Sequence, residues 1–186
     1  RRAKTVPLVY QSRSWQHGVF MGSIMGSEKT AAAEGTVGET RRDPMAMLPF
    51  CGYHMADYWQ HWLDMGKTLG DKAPKIFNVN WFRTDEEGRF IWPGFGDNLR
   101  VLEWIMKRCF QEADAAETAI GYEPKPEDID LEGSGVDRAT LEGLLGVDKD
   151  LWRVEVKGIR EFYQKFGGKL PEALANQLSA LEQRLG

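Results

Sequence analysis

The sequence is poor in cysteine, has no long apolar run and carries no excess of basic charge. Its two cysteines, Cys51 and Cys109, lie far apart in apolar surroundings. That placement favours two buried thiols in a reducing compartment over a disulfide or a metal pair. No segment approaches the roughly 20 consecutive apolar residues of a membrane span. A formal net charge of −4 argues against nonspecific binding to nucleic acid.

What the sequence does contain is enough apolar material for a sizeable core. It has 186 residues, of which 42% are hydrophobic and 28% charged, as is typical of a soluble globular protein. It opens at Arg1 without a hydrophobic leader and without methionine. We therefore expect a cytoplasmic monomer that is the C-terminal portion of a longer polypeptide. Neither a membrane nor a nucleic-acid partner is expected.

Alternating apolar and polar residues predict strands in two parts of the chain. One strand is expected over Thr5–Trp15 and another over Ile76–Phe82. Arg89–Trp92 is expected to pair with the second strand in a hairpin over residues 76–92. The segment His17–Met25 suits either a strand or a short helix, and residues 116–135, rich in proline and acid, suit a linker.

Apolar residues at spacings of three and four predict helices, so the fold class is α/β. They are expected after Pro49, from Leu99 to Ala113, over Asp137–Leu145, from Asp148 or Lys149 to Phe166, and from Pro171 to Leu185. Asp97 or Asn98 is expected to cap the helix that starts near Leu99.

Residues 26–38 are small and polar and cannot bury much surface. Glycines at both ends and an alanine run predict a mobile, hinged lid. The stretch Gly26-Ser27-Glu28-Lys29-Thr30 is not a phosphate-binding loop, because Glu28 stands where the Walker pattern has glycine.

Aromatic residues and glycines are concentrated just before the helix at Leu99. Phe82, Phe90 and Phe95 lie in or beside turn-like sequence, and Gly94 and Gly96 flank the last of them. Rings near the amide of Asn98 suit a flat heterocycle, with stacking on its faces and hydrogen bonds along one edge. An ordinary hydrophobic cluster is the alternative, and composition alone favours it by about two to one.

Five stretches together are similar to the C-terminal part of the GTP-dependent phosphoenolpyruvate carboxykinases. The pair NVNWF and WPGFGDN is the most specific element of the resemblance, which extends over nearly the whole chain. The stretches are VPLVYQSRSWQHGVF (6–20), SEKTAAAEG (27–35), DPMAMLPFCGY (43–53), KIFNVNWFR (75–83) and FIWPGFGDNLRVLEW (90–104).

The resemblance implies part of the mixed-sheet, kinase-like C-terminal lobe of that fold, with C-terminal helices. Residues 1–115 would form a nucleotide-binding portion with an Ω-loop lid at about 27–39, and residues 116–186 an acidic linker and helices packed on the same lobe. The implied enzyme is a carboxy-lyase of gluconeogenesis or anaplerosis. It would convert oxaloacetate and GTP to phosphoenolpyruvate, GDP and carbon dioxide with Mn²⁺ and Mg²⁺.

The resemblance also implies roles for single residues. Phe82, Phe90 and Phe95 would form a guanine pocket, and Asn98 would hydrogen-bond the purine edge. The backbone from Phe95 to Asn98, including Gly96 and Asp97, would line the nucleotide. Arg1 would act on the transferred phosphate as a catalytic residue. The lid would comprise Lys29, Thr30, Ala31, Ala32, Ala33, Glu34 and Gly35.

Two departures from the family pattern leave the nucleotide pocket intact. Asp97 stands where the family often has glutamate, and His54 where it often has asparagine. The family's metal ligands, phosphate loop and oxaloacetate-binding arginines fall upstream of Arg1, so no metal residue is assigned. We therefore expect no turnover from this chain alone. The alternative is a non-catalytic purine-binding or structural domain.

Overall fold

The computed structural model describes residues 5–28 and 40–186, which form the predicted α/β fold. The strands are β1 (Val9–Gln11), β2 (Gly26–Glu28), β3 (Thr40–Arg42), β4 (Phe77–Val79), β5 (Ala116–Glu117) and β6 (Tyr122–Glu123). The helices are α1 (Trp15–Ser23), α2 (Met55–Leu69), α3 (Asn98–Phe110), α4 (Arg138–Leu145), α5 (Lys149–Gln164) and α6 (Glu172–Leu185).

The chain divides into two compact units that each combine distant segments. The described residues of the sheet unit lie within Arg1–Gln11 and Phe77–Asp148, and those of the helical unit lie within Ser12–Ile76 and Lys149–Gly186. The predicted division near residue 115, with residues 116–186 packed on the same lobe as residues 1–115, stays a prediction.

The sheet unit is built on an antiparallel sheet in the order β4-β1-β6-β5. Val9 pairs with Val79 on one side of β1, and Gln11 pairs with Tyr122 on the other. Strand β1 is buried throughout because it lies in the middle of the sheet. The apolar core beside it consists of Leu8, Val9, Trp92, Val101, Trp104, Ile129, Leu141, Leu144 and Leu145.

One strand prediction in the sheet unit was wrong, and one segment predicted as mostly linker contains two short strands. Arg89–Trp92 does not form a second strand: only a single bridge, Thr84 to Phe90, forms there. The chain leaves the pairing because Trp92 turns into the core, where it is 1% exposed. Within residues 116–135, the short strands β5 and β6 add to the sheet around a turn in which the Thr118 N–H donates to the Gly121 carbonyl at 2.8 Å.

In the helical unit, α1 packs on α2 and α6, and α5 packs on α6. The segment left open at His17–Met25 is helical as far as Ser23, and the strand predicted over Thr5–Trp15 is limited to Val9–Gln11. Helix α1 begins after Ser14, because the Ser14 hydroxyl accepts the His17 N–H at 3.1 Å and caps the helix. Strand β3 is fixed to α5 by a largely buried ion pair in which Arg42 donates to Glu155 at 2.7 Å.

The two cysteines are free thiols, but the prediction that both are buried was wrong. Cys51 is partly exposed and Cys109 is exposed. Cys109 lies on α3, whose buried face is carried by Val101 and Trp104 instead. Among the described ranges no helix is both long and apolar enough to cross a membrane.

Glu123 brings a carboxyl group into the sheet unit, and its burial should make stability depend on pH. The residue is 4% exposed, and its Oε1 has no hydrogen-bond partner in the described part of the chain. Burial raises the pKa of Glu123 to about 8 from 4.5, against a smaller opposing effect of a hydrogen bond with Thr118. The folded state therefore holds a proton that the unfolded chain releases.

We expect Glu123 to contribute its full stability below pH 4.5 and to lose it as pH rises to about 8. The slope should reach about 1.4 kcal/mol per pH unit within that window. Glu123→Gln should flatten it in urea unfolding measured across the range, whereas Glu117→Gln, at an exposed position on neighbouring β5, should not. An unchanged slope in Glu123→Gln would contradict the assignment.

Gly66 provides a test of packing in the helical unit. A Cβ atom there would clash with Cδ1 of Trp15, whose Nε1 donates to the Trp62 carbonyl at 2.6 Å. Alanine is better than glycine inside a helix by about 1 kcal/mol, yet this contact should make Gly66→Ala destabilising by about 1–3 kcal/mol.

The matched control is Gly143→Ala in α4, where a Cβ would meet no atom within 4 Å. There the helix preference acts alone, and we expect a gain of up to about 1 kcal/mol. Thermal unfolding of both variants should thus give shifts of opposite sign. Shifts of the same sign would mean that Trp15 does not constrain Gly66.

Candidate functional site

The backbone that carries Phe82 is held in place by hydrogen bonds of two nearby residues, Asn80 and Arg83. Buried Asn80 donates from Nδ2 to the Val6 carbonyl at 2.8 Å and accepts the Phe82 N–H on Oδ1 at 3.2 Å. Arg83 donates to the carbonyls of Gly143 and Leu144, at 2.8 and 3.1 Å, where α4 ends. These bonds fix the chain on both sides of Phe82, so its ring projects from a rigid base.

Arg83 is partly buried, and no acidic side chain among the described residues pairs with it. Desolvation lowers the pKa of the Arg83 guanidinium, which nevertheless stays charged because an arginine titrates far above neutral pH. Its charge meets the C-terminal end of α4, where helical carbonyls carry partial negative charge. Arg83 is thus a structural cation, and its neighbour Phe82 is the more exposed residue of the pair.

Phe82 and Phe90 lie beside each other at the surface of the sheet unit. Their ring centroids are 6.0 Å apart with an interplanar angle of 62°, and the side chains are 46% and 55% exposed. The rings touch edge to face, so they do not enclose a parallel slot. A flat ligand would therefore stack on an outer face of this pair rather than enter between its rings.

Phe95 projects from a tight turn ahead of α3. Gly94 adopts a φ of +90°, and its carbonyl accepts the N–H groups of Asp97 at 2.8 Å and Asn98 at 3.0 Å. The Phe95 side chain is 99% exposed, so the described residues cover almost none of it. The conformational freedom that the sequence suggested for two glycines is required at Gly94 and not at Gly96, whose φ is not positive.

Helix α3 begins at Asn98, as the capping signal predicts, although not through a side-chain cap. Asp97 occupies the N-cap position without a side-chain cap hydrogen bond. Its carboxylate instead accepts from Arg100 Nε at 2.8 Å. Arg100 also donates to the carbonyls of Asp130 and Glu132, at 2.9 and 2.7 Å. The first turn of α3 is thereby held to the segment that precedes α4.

The amide of Asn98 is bound to the core by one hydrogen bond. The indole Nε1 of Trp92 donates to Asn98 Oδ1 at 2.9 Å. Trp92 is 1% exposed and belongs to the core cluster of the sheet unit, whereas Asn98 is only partly buried. The amide oxygen therefore faces inward, and the amide nitrogen is on the other side of the group.

The structure brings some of the predicted residues together and leaves others apart. Phe82 and Phe90 are in contact, Asn98 is fixed by Trp92, and Phe95 extends into solvent. Gly96 and Asp97 lie between Phe95 and Asn98 in the same turn. Arg1 and residues 29–35 lie outside the described residues.

Sequence reasoning missed three residues that support the site: Asn80, Arg83 and Trp92. The only signal for Asn80 was a polar residue at the end of an alternating strand, which more often indicates a turn. Trp92 was expected as a strand residue, and its hydrogen bond depends on the exact path of the turn. In residues 5–28 and 40–186 no group of three His, Cys, Asp or Glu side chains is arranged to hold a metal ion.

Comparison with known proteins identifies the family. The family described as the phosphoenolpyruvate carboxykinase C-terminal P-loop domain matches residues 1–184. The chain belongs to this family. The resemblance inferred from NVNWF and WPGFGDN is thereby confirmed at the level of the family.

Individual relatives agree with this assignment to the carboxykinase family. Proteins named phosphoenolpyruvate carboxykinase (GTP) are 55% identical over 188 residues in Treponema pallidum (strain Nichols), 53% identical over 188 residues in Renibacterium salmoninarum and 52% identical over 186 residues in Arthrobacter sp. (strain FB24). Each match covers 100% of this chain. The chain spans only about 30% of the length of these relatives.

The two glycines of the turn should respond differently to alanine. Gly94→Ala places a Cβ on a residue with φ of +90° and should destabilise the protein by about 1–2 kcal/mol. Gly96→Ala meets open space and a permitted φ, so its effect should stay within about 0.5 kcal/mol. Urea unfolding of both variants measures this difference, and equal losses would contradict the turn geometry.

Proposed function

We propose that this chain is the guanine-recognition and lid portion of an enzyme that decarboxylates and phosphorylates oxaloacetate. The reaction consumes GTP and yields phosphoenolpyruvate, GDP and carbon dioxide. Family membership supports the reaction class, and relatives named phosphoenolpyruvate carboxykinase (GTP) support GTP as the nucleotide. The observation that carries the proposal is the exposed contacting pair Phe82 and Phe90, on a backbone anchored to the core, together with exposed Phe95 in the turn that leads to the fixed amide of Asn98.

The exposure of these rings supports binding rather than packing. Phe82, Phe90 and Phe95 are 46%, 55% and 99% exposed, while the tryptophans nearby in sequence fill the core. Exposed apolar rings grouped in one short segment are costly in water unless a ligand covers them. A purine would stack on the outer face of the Phe82 and Phe90 pair, with Phe95 covering its other side.

The turn supplies the polar contacts of the proposed pocket. Asn98 would bind the edge of the base, and the backbone of Phe95, Gly96 and Asp97 would line the nucleotide. The Asp97 carboxylate is engaged by Arg100 at 2.8 Å, which offsets its negative charge close to where a phosphorylated ligand would lie.

Two further roles rest on sequence alone. We propose that Arg1 contacts the transferred phosphate, where a guanidinium would offset the charge that develops during transfer. We propose that residues 29–35 close over the substrates and exclude water, which would protect the enolate from protonation. Mn²⁺ and Mg²⁺ would be held by residues outside this chain, and none of the roles proposed for its described residues passes through a metal.

Phe95→Ala in the full-length protein tests the pocket. Base–aromatic stacking contributes about 1–3 kcal/mol per base, so KM for GTP should rise roughly five- to 150-fold. ITP should be affected in parallel, because stacking does not depend on the exocyclic amine. Steady-state kinetics with GTP, ITP and ATP measure the effect.

The matched control is Phe110→Ala, which removes another exposed ring, 65% exposed, at the far end of the 13-residue helix α3. About 20 Å separates the two ends of that helix, so KM for GTP should stay unchanged. If Phe95→Ala also leaves GTP use and GTP preference unchanged, the pocket assignment fails. A non-catalytic or structural role for this segment would then be the better account.

A further inference from the structure

The hydrogen bond between Trp92 and Asn98 selects one of the two possible orientations of the Asn98 amide. An indole N–H only donates, so the atom of Asn98 that lies 2.9 Å from it must be the amide oxygen. The NH₂ group then points to the opposite side. The donor chemistry of the indole therefore determines which atom of the Asn98 amide faces Trp92.

We propose that Trp92 is a positioning residue that makes the site prefer purines with an oxygen at position 6 over purines with an amine there. The inference rests on the proposed function, because it assumes that Asn98 binds the base edge. Trp92 itself would not touch the nucleotide. It would act by holding the donor end of the Asn98 amide toward the ligand.

The two classes of purine present opposite edges to such an amide. Guanine and hypoxanthine carry an acceptor oxygen at position 6 next to an N1–H donor, whereas adenine carries a donor amine next to an acceptor N1. An amide that turned over by 180° would match the second edge as well as the first. An asparagine that can turn freely therefore discriminates poorly between the two classes.

Trp92 opposes the reversal of the Asn98 amide because the Trp92 indole N–H would lose its acceptor. With the Asn98 amide reversed, two donors would face each other and the buried indole N–H would stay unsatisfied. An unsatisfied buried donor costs enough to disfavour the reversed state roughly five- to 150-fold.

Neither partner can move easily to relieve that cost. The Trp92 ring is 1% exposed within the core cluster. The backbone of Asn98 is held by the bond from its N–H to the Gly94 carbonyl at 3.0 Å, at the first residue of α3. A close-packed interior resists the shift of a large ring, so the orientation of the amide is set before the nucleotide arrives.

Trp92→Phe in the full-length enzyme removes the donor and keeps an aromatic ring in the core. We expect the ratio of kcat/KM for GTP to that for ATP to fall at least about fivefold, with the ITP to ATP ratio falling in step. KM for oxaloacetate should not change. A merely structural role would weaken all three nucleotides alike and leave both ratios constant.

Trp104→Phe is the matched control. Trp104 belongs to the same core cluster and is also 1% exposed, but its Nε1 has no hydrogen-bond partner among the residues that the structure describes. Its replacement should cost comparable packing without releasing an amide, so the GTP to ATP ratio should stay unchanged. Equal falls in both variants would overturn the proposal.

Asn98→Asp tests the same orientation with the indole intact, which matters if Trp92→Phe fails to fold. One carboxylate oxygen would accept from Trp92, and the other would present an acceptor where the amide presents a donor. We expect the GTP to ATP ratio to fall below that of the unmodified enzyme by more than the fall in Trp92→Phe. An unchanged ratio in Asn98→Asp would overturn the inference.

The variants separate two kinds of failure. If Phe95→Ala leaves KM for GTP unchanged and Asn98→Asp leaves the GTP to ATP ratio unchanged, the pocket assignment fails, and the inference fails with it. If those two variants change nucleotide use while Trp92→Phe keeps the GTP to ATP ratio, only the role of Trp92 is refuted.

Discussion

The burial of Trp92 is the constraint on which the rest of the candidate site depends. Its ring completes the core of the sheet unit, and that burial pulls the chain out of the strand pairing after the Thr84 to Phe90 bridge. The chain must then turn sharply through Gly94 to reach α3. The one polar atom of the Trp92 side chain, Nε1, finds an acceptor in Asn98, so the same residue both closes the core and orients the first residue of the helix.

The segment around the candidate site thus has one side anchored to the core and one side exposed to solvent. Asn80 and Arg83 hold the backbone through carbonyls of Val6 and of the end of α4, while the phenylalanine rings face outward. Such rings can stay exposed only where the backbone behind them cannot collapse over their apolar surface. Rigid support and exposed aromatic surface together favour the proposed binding site more than either feature would alone.

The regular elements were predictable from the sequence, and several local features were not. The apolar spacing of α3 to α6 locates each helix because packing on one face imposes that spacing. The single bridge at Thr84 and the strands β5 and β6 were missed because short strands have no periodicity long enough to detect. The burial of Glu123 could not be predicted from the sequence, since a carboxylate in a turn-rich acidic segment is ordinarily exposed.

The sequence by itself determined the family, the α/β class and the residue types of the candidate site. Specific local motifs, such as NVNWF and WPGFGDN, carry that information without any knowledge of contacts. Only the tertiary structure decided which groups hold the site in place and which way its amide points. Those features depend on contacts between segments that are distant in sequence, such as the hydrogen bond from Asn80 to the Val6 carbonyl. A local sequence pattern does not specify such contacts.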